Sequence, residues 1–175
     1  PYRFEGQSQL PLIVIDTEGQ EVPDEPKISA TLSIIDHGPG KTNGLQDQAT
    51  RRLPIGIEIR GASSQFYEKK TYGLETRDSQ GKDLSVGLLG LPKESDCILY
   101  GPQSDKTLMR NFLAYRLSSQ MGHYAPRTRF VEVFLRISTT APLESQYVGV
   151  YLLTERLKRG GKRIDVRRLR KREGK

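Results

Sequence analysis

Few residues in this 175-residue chain have the types and spacing that catalytic chemistry needs. There is no GxxxxGK(S/T) phosphate loop, no GxGxxG, no HExxH, no GxSxG elbow and no spaced cluster of Cys and His. The commonest P-loop, dehydrogenase, metal and hydrolase chemistries therefore lose their usual support. The single cysteine, Cys97, cannot close an intrachain disulfide, and its place in the apolar run CILY marks a small buried side chain. Both histidines read as structural, His123 beside the end of a helix, where a cation is favoured, and His37 in a loop. What remains is charge. In KKTYGLETR, alternation sets Lys70 on the more apolar side with Tyr72 and Leu74, and in PIGIEIR it sets Arg60 on the face of Glu58. A helix further on offers Arg110 and Asn111.

The elements that carry these groups are legible from period and punctuation. Leu10 to Asp16 and Lys27 to Asp36 read as strands separated by the turn-rich TEGQEVPDEP, and the loop HGPGKTNG follows. Pro54 to Arg60 alternates strictly, with Ile55, Ile57 and Ile59 on one face, as a half-buried strand requires. Lys69 to Arg77 alternates too, and DCILYG reads as a buried strand. The period then changes. Ser104 is the expected N-cap and Asp105 suits the positive end of a helix running to Met121, with apolar residues at 108, 112 and 115 and at 109, 113, 117 and 121. That pattern predicts a helix buried over a broad arc and stopped by Gly122. Arg129 to Ile137 and Gln146 to Thr154 are expected to form an antiparallel pair joined by STTAPLES.

Length and composition predict one domain with a real core. The formal charge of +7 is uneven, because Arg156 to Lys175 holds eleven Lys or Arg residues and the rest is nearly neutral. A basic tail can bind phosphates by counterion release, but this one lacks interleaved aromatics, so nucleic acid is not the expected partner. No stretch approaches the roughly 20 apolar residues of a membrane helix, and PYRFEGQSQ has no apolar signal core.

The order strand, polar loop, strand, helix, strand, strand, with Lys70 on the second strand, resembles the small lobe of a protein kinase. In such a lobe a strand Lys holds nucleotide phosphates and a helix acid holds the Lys. Here the helix contains no Glu, so a partner for Lys70 is sought among Glu58, Glu75, Glu132 and Glu155. The expected fold class is accordingly α+β, a largely antiparallel sheet with one main packed helix and an extra amino-terminal β segment. Its expected portions are 1–50, a core over 51–158, and a basic tail over 159–175.

IEIRGASSQ, KKTYGLETRD, LLGLP, DCILYGPQSDKTLMRNFLAYRLSSQMG, APRTRFVEVFL and GVYLLTERLKR, in that order, resemble the motifs of the CotH (spore coat protein H) family over about Leu10 to Leu169. The resemblance implies an atypical kinase that binds ATP with Mg or Mn and phosphorylates Ser on surface or coat proteins, with an extracellular, cell-surface or spore-coat location. It also implies that Arg60, Ser63 and Ser64, in the RGASS stretch, form the phosphate-side loop and that Lys70 faces the nucleotide. Glu155, at the end of GVYLLTE, would border the adenine or pair with Arg156 or Lys158. Arg110 would reach a phosphate or cap a neighbouring acid.

Two features depart from the family pattern. STTAPLES is longer than the family's usual turn, and the aspartates expected as catalytic base and metal ligand lie well beyond the segment after Glu155, where Asp165 is the only Asp. The chain alone is therefore expected to be inactive. It would be either part of a kinase completed by a carboxy-terminal lobe or a non-catalytic surface or coat-assembly module on the same scaffold.

Overall fold

A computed structural model describes residues 3–160 and 163–166, and these described residues form nine strands and one α-helix. The strands are β1 (Gln7–Ser8), β2 (Leu12–Asp16), β3 (Ile28–Ile35), β4 (Asn43–Gly44), β5 (Arg51–Arg60), β6 (Thr71–Thr76), β7 (Asp96–Tyr100), β8 (Thr128–Arg136) and β9 (Tyr147–Glu155). The helix is α1 (Arg110–Gln120). Apart from a small β1–β4 ribbon, the strands close into a barrel in the order β2-β3-β5-β6-β7-β9-β8.

Period-2 alternation explains the barrel wall. Ala30, Leu32 and Ile34 on β3, Ile55 and Ile57 on β5, Tyr72 and Leu74 on β6, and Cys97 and Leu99 on β7 all enter one buried cluster. Val131, Val133 and Leu135 on β8 and Tyr151 and Leu153 on β9 join them. Each strand thus sends every second side chain inward, and burial of these apolar groups holds the barrel together. Leu88 and Leu91, from the long β6–β7 connection, pack into the same core. All wall pairings are antiparallel except β2 with β8, which run parallel with Leu12 beside Glu132 and Asp16 beside Arg136. That pairing closes the ring and leaves no open wall edge.

The barrel corrects the expected α+β class and its likeness to a kinase small lobe. β2 and β3, expected as an added amino-terminal segment, are wall strands. Alternation reveals strands but not which distant strand seals the sheet, and β2–β8 contacts join residues about 120 positions apart. The helix is corrected as well: it starts at Arg110, not at Asp105, and none of its residues is buried. Phe112 reaches Phe130 on β8, ring centroids 5.2 Å apart, while Met109, Leu113, Leu117 and Met121 are exposed. Of the two apolar stripes, only the one through Phe112 and Tyr115 turns toward the barrel.

Asp105 performs the capping expected of Ser104. Its carboxylate accepts from the Thr107 N–H (3.1 Å), the Thr107 hydroxyl (2.7 Å) and the Arg110 N–H (2.9 Å). These bonds satisfy donors at the entry to α1. At the other end Gly122 adopts φ +83°, and the N–H groups of Gly122 and His123 return to the carbonyls of Ser119 and Ser118. This is a Schellman ending. The antiparallel pairing of β8 with β9 and the burial of Cys97 agree with the sequence.

Candidate functional site

One end of the barrel gathers the loop after β5 with the segment leading into β6. Arg60 closes β5 opposite Thr71, and Gly61 then takes φ +117°. A Cβ at Gly61 would lie 2.0 Å from Ser64 Oγ, so only glycine lets the chain fold back this tightly. Ser63–Phe66 follows as a single 3₁₀ turn. Gln65 ties the loop down, its amide donating to the Gly61 carbonyl and to Asp24 Oδ1, each at 2.6 Å. Lys70 Nζ donates to the Gln65 carbonyl at 2.7 Å. Arg60, Ser63, Ser64 and Lys70 are therefore neighbours in one loop.

Next to Lys70 in the chain is a second cation, Lys69, which alternation assigned to the other face. β6 starts only at Thr71, so strand parity does not govern the two lysines before it. Lys69 is 4% exposed, its Nζ donates to the Val150 carbonyl at 2.6 Å, and it lies 4.7 Å from the centroid of the Tyr151 ring. Burial lowers its ammonium to about 8, and the Glu132 carboxylate offsets this only in part. Tyr151 in turn stacks with Tyr72, whose phenol burial pushes up to about 12. Nothing in the KK doublet distinguishes the buried lysine from its neighbour.

The acids proposed as partners of Lys70 are engaged elsewhere. Glu75 pairs with Lys27 at 2.7 Å and with Arg77 at 2.9 Å. Glu58 lies 3.9 Å from Lys27. Glu132 accepts from Ser8 at 2.9 Å and from the Tyr147 hydroxyl. Glu155, 3% exposed at its side chain, accepts from the Arg127 main-chain N–H and from two nitrogens of its guanidinium at 2.9 to 3.1 Å. Arg156 and Lys158, its expected partners, reach Asp96 instead.

Glu155 faces Cys97, whereas Leu152 faces Tyr100 at the loop end of β7. Three residues of strand separate the two levels, about 10 Å. Arg110 stands apart, its Nε 3.5 Å from Asp105 and its side chain 79% exposed. The structure thus brings four of the six sequence-chosen residues together and leaves Glu155 and Arg110 outside the loop.

This arrangement can neutralise and orient an anion. Gly61 lets the chain turn back on itself, exposed Ser63 supplies a hydroxyl, and Arg60 and Lys70 supply positive charge. Among the described residues no group of three or more His, Cys, Asp and Glu is placed to hold a metal ion. No helix among them is long and apolar enough to cross a membrane. Most of the basic tail, on which the nucleic-acid alternative rested, lies outside the described residues.

No curated protein matches the chain. The family described as CotH kinase protein matches residues 57–172, a span that contains the Arg60 to Ser64 loop, both lysines, α1 and Glu155. The chain belongs to the CotH kinase protein family.

Proposed function

We propose that this chain supplies the nucleotide-handling part of a CotH-like protein kinase, which transfers phosphate from ATP, bound with Mg or Mn, to Ser of a surface or coat protein. The family match over residues 57–172 carries the proposal, because it spans the loop whose geometry suits a phosphate. The loop's fit is local and physical: a glycine without room for a Cβ, a short 3₁₀ turn, two cations and exposed hydroxyl chemistry. ATP, when bound with its metal, supplies the phosphoryl group that is transferred.

Within this proposal Arg60 and the hydroxyls of Ser63 and Ser64 hold phosphate oxygens, and Lys70 exchanges the Gln65 carbonyl for one of them. That exchange replaces a neutral acceptor with a charged one, a stronger bond. Arg110, exposed at the start of α1, reaches a phosphate by leaving Asp105. Glu155 acts as a positioning residue through Arg127. None of the described residues is assigned as catalytic base.

Calorimetric titration with MgATP and MnATP tests the proposal. Wild type is expected to bind, and Lys70→Ala to bind at least tenfold more weakly, a loss of about 1.4 kcal/mol. Absence of heat with either metal in wild type, or equal affinity of the two proteins, would remove the nucleotide site and leave the non-catalytic assembly module.

A further inference from the structure

α1 does not lie flat on the barrel. Between the helix, the start of β8 and the turn at Leu89–Leu91 is a cleft of about 390 Å³. It shares no residue with the Arg60 to Ser64 loop. Phe112, Tyr115 and Pro126 give it an apolar wall, and Arg116, Arg127 and Arg129 also line it.

The charge on this lining is one-sided. No carboxylate lines the cleft. Arg127 is paired with Glu155 at 2.9 Å. Arg116 and Arg129 have no ion-pair partner among the described residues, so two positive charges stand uncompensated beside an apolar wall. Guanidinium groups suit phosphate oxygens, which they meet with paired N–H donors, and a phosphate monoester brings close to two negative charges at neutral pH. The volume falls in the range of roughly 300 to 1,000 Å³ typical of small-ligand sites.

The rim of the cleft carries a left-handed turn. Leu89 is held at φ +49° and Gly90 at φ +84°, with the Leu91 N–H returning to the Leu88 carbonyl at 2.8 Å. A left-handed leucine is strained, and such strain concentrates at ligand sites. Here it places an apolar residue on the lining while Leu88 and Leu91 remain anchored in the barrel core.

We propose that the cleft between α1, the start of β8 and the Leu89–Leu91 turn binds a phosphate monoester with an aromatic body. The ring lies against Phe112 and Tyr115, and Arg116 and Arg129 take the phosphate. The site goes beyond the proposed ATP loop and is independent of it.

Phenyl phosphate, titrated into the whole chain and followed by calorimetry and ligand-observed NMR, is the test. It is expected to bind saturably, to weaken at least about tenfold in Arg116→Gln, and to bind unchanged in Lys70→Ala. Arg116 is an exposed helix residue, and matched thermal melts check that the variant folds. Benzyl alcohol, which keeps the ring and lacks the charge, is expected not to bind. No binding of phenyl phosphate, equal binding of benzyl alcohol, or sensitivity to Lys70→Ala without sensitivity to Arg116→Gln would each overturn the site. MgATP binding retained in Arg116→Gln separates this result from the fate of the nucleotide loop.

Discussion

Gly101→Ala is expected to destabilise the chain by about 3 kcal/mol, read as a lower urea midpoint with an unchanged slope. Gly101 follows β7, is buried, and donates its N–H to the Thr71 hydroxyl at 3.1 Å. A Cβ there would lie 2.4 Å from the Lys70 carbonyl oxygen and 2.9 Å from Tyr151 Cε1. The first neighbour is backbone and the second belongs to a fully buried ring, so neither can swing aside as an exposed side chain would. Relief requires moving the segment that carries Lys69 and Lys70. The same substitution is therefore expected to weaken MgATP in the proposed loop, although Gly101 touches no proposed ligand group. A stability loss below about 0.5 kcal/mol would show that the end of β7 yields easily.

The strand content was legible because every wall strand obeys one local rule. Ile55 and Ile57, Tyr72 and Leu74, and Tyr151 and Leu153 alternate in the sequence and all face the core. Closure was not legible. The parallel contact of Leu12 to Asp16 with Glu132 to Arg136 depends on sheet twist and strand order, which no short window contains. α1 shows the opposite limit of periodicity. Positions 109, 113, 117 and 121 form a true apolar stripe, yet Leu117 is 57% and Met121 72% exposed. Spacing says which residues share a face and is silent on whether that face is covered.

At the candidate site, the loop was found through its motif and its charge, and both are local. Arg60, Gly61, Ser63, Ser64 and Lys70 lie within eleven consecutive residues, and the turn brings them together. Long-range pairings escaped. Lys27 bridges toward Glu58, Glu75 and Asp96 from the residue before β3, and Arg127 takes Glu155 across 28 positions. Each such pair is a choice among several acids and bases, made by register. Sequence could supply candidates for Lys70 but could not reveal that the Gln65 carbonyl holds it.

Lys69→Met is expected to change how stability depends on pH. Burial brings the Lys69 ammonium from 10.5 to about 8 in the folded chain. Below pH 8 the folded and unfolded chains both keep the proton. Between about 8 and 10.5 the unfolded chain holds a proton that the folded chain has released, so the lysine's contribution to stability rises with pH. From pH 7 to pH 10, wild type should therefore gain about 2.5 kcal/mol relative to Lys69→Met, measured as the difference between their urea unfolding free energies. The comparison matters because other groups act the other way. Burial pushes the Cys97 thiol and the Tyr72 phenol each to about 12, which lowers stability as the unfolded chain ionises first. Both groups are present in the two proteins and cancel in the difference. A flat difference from pH 7 to 10 would mean that Lys69 keeps an ordinary ammonium, held by Glu132 and the Tyr151 ring strongly enough to offset its burial. A rising one would mean that the Lys69 ammonium is retained at neutral pH at a cost in stability, its burial opposing the charge that Glu132 and the Tyr151 ring favour.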